Sequence, residues 1–149
     1  MSPEKIAASG TESGHQRALF AKVNEDLWLL KLQLDGAPAW DGVNRLWAAP
    51  LEWLHSIPNG GSRGDDARSR AIRGATMKAE GVKEGIPDVF LPCPRTRYAG
   101  LYIEMKKPGG RASPDQLRFS VFATRMGYRW ELCDTWDKAY AVLVDYLTN

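Results

Sequence analysis

The segment "GIPDVFLPCPRTRYAGLYIEMKKPGG", residues 85–110, restricts the possible folds more than any other part of the sequence. Its apolar runs "VFL" and "LYIEM" are separated by the turn-rich "CPRTRYA", which predicts strands at 88–92 and 100–106 joined as a hairpin. Into these strands the sequence places Asp88, Glu104 and Lys106. Side chains alternate along a strand, so Leu101, Ile103 and Met105 share one face while Tyr102, Glu104 and Lys106 share the other. A hairpin centred on Thr96 sets Asp88 directly opposite Glu104, and cross-strand partners lie about 4.5–5.5 Å apart. Two carboxylates that close repel unless a cation sits between them. A hard divalent ion, Mg²⁺ or Mn²⁺, suits such oxygen ligands. The plainer alternative for Glu104 and Lys106 is a solvated strand face with an ordinary ion pair. Against it stand Pro87, which stiffens the backbone before the acid, and the apolar "VFL" after it, because a buried strand does not ordinarily begin with an unneeded acid.

The rest of the chain reads as one α/β domain of 149 residues. Residues 1–11 are expected to be a flexible N terminus. Leu19, Phe20, Val23, Leu27, Leu30 and Leu34 then recur at helical spacing and predict a helix with its apolar stripe on the core. "HSIPNGGSRG" predicts a loop, and 67–80 a polar, arginine-rich helix ending near Gly81. Ser113, Pro114 and Gln116 form a capping-box start for a helix whose apolar face is Leu117, Val121 and Phe122 and whose end is Gly127. "YRWELC" predicts a third strand, and "DTWDKAYAVLVDYL" a last helix with Trp136, Ala139, Val142, Leu143 and Tyr146 inward. The resulting fold is a small mixed sheet flanked by helices. Cys93 and Cys133 lack metal-site or disulfide-framework spacing, and neither a leader nor a membrane span is visible, so a cytoplasmic protein is expected.

The net charge is only +2, but basic residues crowd the middle of the chain, around the acidic pair. Asn59, Gly60, Arg63, Arg70, Arg73, Lys78, Lys83, Lys107 and Arg111 are therefore candidates for contacts to phosphates, aided by the backbone amides of Gly60, Gly61, Gly109 and Gly110. His15 and His55 carry little weight as bases or zinc ligands, since isolated histidines usually lie at the surface or cap helices. The six tryptophans are expected mostly in the core, although Trp40 or Trp47 could stack on an unpaired base.

"IPNGG", "MKAEGVKEGIPD", "GLYIEMKKPGG" and "SPDQ" together resemble the VRR-NUC domain of the PD-(D/E)XK nuclease superfamily, above all its short stand-alone versions from phages and prophages. The resemblance extends over residues 12–147, and the nuclease domain is taken as 12–149. It implies a restriction-endonuclease-like fold in which Asp88 is the signature acid, Glu104 and Lys106 the ExK pair and Gln116 the glutamine of the following helix. It also implies a glutamate from the first helix, matched by Glu12 with Gln16 one turn later, although Glu25 shares that helix. Asp88, Glu104, Glu12 and the main-chain carbonyl of Met105 would then hold Mg²⁺ or Mn²⁺. The implied activity is metal-dependent endonucleolytic cleavage of DNA read by shape, with branched DNA such as a Holliday junction as substrate and a homodimer as the acting form. That interface is expected at residues 40–54, and the alternative function is a DNA-binding or assembly module that does not cleave.

Overall fold

The structure, a computed structural model, describes residues 1–26, 50–58, 66–95 and 97–149. Leu27, Leu30, Leu34, Trp40, Trp47, Asn59, Gly60, Gly61, Arg63 and Thr96 lie outside the described residues. The helices are α1 (Pro3–Ala7), α2 (Glu12–Glu25), α3 (Ala67–Ala79), α4 (Pro114–Arg125) and α5 (Trp136–Thr148). The strands are β1 (His55–Ser56), β2 (Val89–Leu91), β3 (Leu101–Met105) and β4 (Arg129–Cys133), and a short 3₁₀ helix, Pro50–Trp53, precedes β1. The stretch expected to be a flexible N terminus carries α1, which buries Pro3 and Ala7 and packs on α2.

The four strands form one mixed sheet in the order β1-β2-β3-β4. β1, β2 and β3 are antiparallel, whereas β4 runs parallel to β3 because α4 carries the chain back across the sheet. β1 falls in a segment expected to be loop, since two residues are too few to show an alternating pattern. Val89 pairs with Ile103, Phe90 with Tyr102 and Leu91 with Leu101, which is the register of a hairpin centred on Thr96. Nearer the tip the register slips by one residue, with Arg95 opposite Tyr98.

One sheet face carries Val89, Leu91, Leu101, Ile103 and Met105 into the core, where Leu19 and Val23 of α2 and Ala139, Leu143, Tyr146 and Leu147 of α5 meet them. Of the five residues expected inward on the last helix, Ala139, Leu143 and Tyr146 are buried, and Trp136 and Val142 are partly buried against the core. Trp53, by contrast with the expected core role of the tryptophans, is half exposed. His15 is buried and accepts a hydrogen bond from the Trp136 amide at the start of α5, the capping role expected of an isolated histidine.

The other sheet face carries Tyr102 and Glu104 beneath α4. The capping box is present: Ser113 Oγ accepts from the Gln116 amide, and Gln116 Oε1 accepts from the Ser113 amide. The expected apolar face of this helix, however, points outward, with Leu117, Val121 and Phe122 each more than half exposed. Gln116 donates to Glu104, Phe119 packs edge-on against Tyr102 and Ala123 is buried. Those residues, spaced by three and four, set the phase of the helix and turn Leu117, Val121 and Phe122 away from the sheet.

Candidate active site

Glu104 is the penultimate residue of β3 and is only 1% exposed. Its Oε1 accepts from Gln116 Nε2 and from Lys106 Nζ, the latter at 2.8 Å. Lys106, two residues on and on the same face, also lies 3.8 Å from Glu12 Oε2 at the start of α2. Asp88 immediately precedes β2, and its Oδ2 accepts from the Met105 amide at 2.9 Å, which ties it to the end of β3. The β2–β3 register, carried one residue further, sets Asp88 against Glu104. Glu12, Asp88, Glu104 and Gln116 line one cavity of about 370 Å³ together with Lys78 and Lys83.

The electrostatics follow from burial. Loss of solvent pushes the Glu104 carboxyl up to about 7; Asp88 and Glu12 push the same way, and Lys106 only partly opposes them. Burial pulls the Lys106 ammonium down, but its hydrogen bond to Glu104 and the surrounding carboxylates outweigh that and hold it above the ordinary lysine value. Lys106 is therefore a cation at neutral pH, able to donate hydrogen bonds and stabilise negative charge, and unable to accept a proton as a base.

Glycines shape the cradle at two points. Gly85 has φ +84°, and a Cβ there would lie 2.6 Å from the Asp115 carbonyl oxygen, so the approach of the loop before Asp88 to the first turn of α4 requires glycine. A Cβ at Gly110 would lie 2.9 Å from that of Lys106. Neither steric role is visible in the periodicity of the sequence; the only trace of the Gly85 turn is the motif "GIPD" itself.

The candidate phosphate contacts divide into groups. Lys78 and Lys83 line the cavity, Lys78 held at 3.0 Å by Glu84. Arg70 and Arg73 are exposed on α3, which buries no residue. Lys107 and Arg111 border a separate surface hollow with Glu12 and Lys106. The amides of Gly109 and Gly110 are not available to a phosphate as expected, because they donate to Asp134 Oδ2 and to the Lys107 carbonyl. Glu25 closes α2 at the end opposite Glu12, so of the two acids it is Glu12 that reaches the site.

The donor set bears on a divalent cation. Glu104 Oε2 is buried without a hydrogen-bond partner, an arrangement that ordinarily signals a missing ligand. Asp88 and Glu104 are hard oxygen donors on one cavity wall, and Mg²⁺ commonly takes one or two carboxylates, with waters and phosphate oxygens completing its shell. Among the described residues no three His, Cys, Asp or Glu side chains are grouped closely enough to hold a metal ion by themselves. The pair therefore fits the ion, while Glu12 is turned toward Lys106 and Met105 contributes its amide to Asp88.

Two comparisons with known proteins find relatives of this chain. The VRR-NUC domain family model matches residues 46–136, which include Asp88, Glu104, Lys106 and Gln116. A solved structure described as a VRR_NUC domain protein superposes with a TM-score of 0.63 at 21% identity, covering 91% of this chain and 87% of that one. No curated protein matches the sequence. A family model matching residues 46–136, over a mixed sheet that gathers Asp88, Glu104 and Gln116 around one cavity with Lys106 ion-paired to Glu104, shows that this chain belongs to the VRR-NUC family of the PD-(D/E)XK nuclease superfamily.

Proposed function

We propose that the protein is a metal-dependent endonuclease that recognises DNA by shape and acts on branched DNA, four-way junctions first. The observation that carries the reading is the buried Glu104, whose one bonded oxygen is held by Lys106 and Gln116 while the other has no protein partner, in a cavity shared with Asp88. Asp88 and Glu104 would hold Mg²⁺ or Mn²⁺. When bound, such an ion supplies a water of lowered pKa and polarises the scissile phosphate.

The chain's own groups supply the rest. Gln116 orients Glu104 by donating to Oε1, and the Met105 amide does the same for Asp88. Lys106, cationic and little exposed, is placed to stabilise charge that builds on the phosphate oxygens. Lys78 and Lys83 on the cavity wall, with Arg70 and Arg73 along α3, offer contacts to flanking phosphates, which position DNA without reading its sequence.

Symmetric resolution of a junction needs two sites, and each chain has one, so the acting species is proposed to be a twofold homodimer. Of the segment expected to form its interface, Leu51 and Leu54 are buried in the core and Trp53 is half exposed.

The test incubates the protein with Mn²⁺ and linear, flapped, gapped and four-way-junction DNAs, with sedimentation of the same sample. The expected result is a dimer that cuts the junction into two nicked duplexes only when metal is present. Binding without cleavage of any substrate would instead favour a non-cleaving DNA-binding module.

A further inference from the structure

The far end of the sheet carries a second cluster of charge. Arg95, Arg97, Tyr98, Arg129, Glu131 and Asp145 border a hollow of about 620 Å³, whose walls are the tip of the β2–β3 hairpin, the start of β4 and the end of α5. It is remote from the acids. Arg129 opens β4 opposite Leu101, the first residue of β3, whereas Glu104 lies near the other end of that strand. At about 3.3 Å per residue, the three-residue rise from Leu101 to Glu104 separates the two regions by roughly 10 Å.

The charges here are unevenly matched. Arg129 is bonded to both Glu131 and Asp145, which hold its guanidinium above the ordinary arginine value against the effect of burial. Arg95 and Arg97 form no ion pair among the described residues. Arg95 is further constrained, since its amide and carbonyl both bond to Tyr98, making the tip a tight turn with Arg97 in its loop. The Arg95 Nε is buried and has no hydrogen-bond partner. Leaving a charged donor unsatisfied is unfavourable. Rotation of this guanidinium into the adjoining hollow toward an acceptor would relieve it. Tyr98, more than a third exposed, offers a ring face at the same rim.

We propose that this hollow is a binding site for a phosphate group, with Arg95 and Arg97 meeting its charge and an attached sugar or base lying against Tyr98. Two sources share that chemistry: a backbone phosphate of DNA beyond the cleaved segment, and a free nucleotide. The DNA source rests on the nuclease reading, whereas the phosphate site itself does not.

Binding is measured without metal, in EDTA, so that cleavage plays no part. Fluorescence anisotropy of a 30-base-pair duplex compares wild type with Arg95→Gln/Arg97→Gln across salt concentrations. In parallel, amide NMR shifts of Arg97 and Tyr98 are followed while inorganic phosphate and deoxyadenosine monophosphate are added. For a DNA phosphate, the double variant should lower the log–log salt slope by about one to two units, roughly one for each phosphate no longer neutralised. An unchanged slope, together with nucleotide-induced shifts in the wild type that vanish in the variant, would support the site with a free nucleotide as its ligand. An unchanged slope together with no nucleotide- or phosphate-induced shifts overturns the proposal. If the double variant does not fold, Arg97→Gln alone decides by the same criteria, because Arg97 is exposed in the turn. A protein that shows these effects yet cuts no DNA with Mn²⁺ would refute the nuclease reading and leave the phosphate site standing.

Discussion

Glu104 is a carboxylate that burial, with Asp88 and Glu12 nearby, keeps protonated until about pH 7 against the opposing hydrogen bond from Lys106. The direction of the consequence follows from proton binding. The folded protein retains on Glu104 a proton that the unfolded chain releases near 4.5, so between about 4.5 and about 7 the fold binds more protons and loses stability as pH rises. For the metal-free protein this amounts to roughly 3 kcal/mol. Urea denaturation in EDTA should therefore show the stability of wild type relative to Glu104→Gln falling across that window, and a difference that is flat with pH would contradict the assignment. The pairing of Asp88 with Glu104 was legible because strand alternation and a hairpin centre are counting arguments. The burial of Glu104 and the ammonium state of Lys106 were not, because both depend on α4 closing over the strand and on Glu12 arriving from α2.

At the level of elements, the hairpin and the last helix could be read from periodicity, but the orientation of α4 could not. Its sequence contains more apolar residues than one face needs, and the polar Gln116, bonded to Glu104, selects which of them meet the sheet. Substitution tests this directly. Leu117→Gln and Val121→Gln should each change stability by no more than about 0.5 kcal/mol, as at other exposed positions. Ala123→Leu, at a fully buried position on the opposite side, should lower stability by about 1–3 kcal/mol through overpacking. Thermal melting that reversed this order would mean that the helix is turned the other way. The phosphate-binding role expected of Gly109 and Gly110 fails for a related reason: their amides are consumed by Asp134 and Lys107, partners that no local motif reveals.

Across the whole molecule, one apolar face of the sheet is covered by α2 and α5, which leaves the other face and its two ends for chemistry. The acids and Lys106 gather at one end of β3, and the arginines of the hairpin tip at the other. Among the described residues no helix is long and apolar enough to cross a membrane. The family was readable from motifs of which Lys78, Lys83, Asp88, Glu104 and Gln116 line a single cavity, whereas the arginine hollow draws on Arg95, Arg97, Tyr98, Arg129, Glu131 and Asp145, residues with no shared pattern in the sequence. If Asp88 and Glu104 act together as one cation-holding unit, single-turnover cleavage of a four-way junction with Mn²⁺ by wild type, Asp88→Asn, Glu104→Gln and the double variant measures it. Each single variant, folded as judged by melting, should lose at least about a hundredfold in rate, and the double variant should be scarcely slower than either, since groups acting as a unit are far from additive. A single variant cutting at the wild-type rate would contradict it.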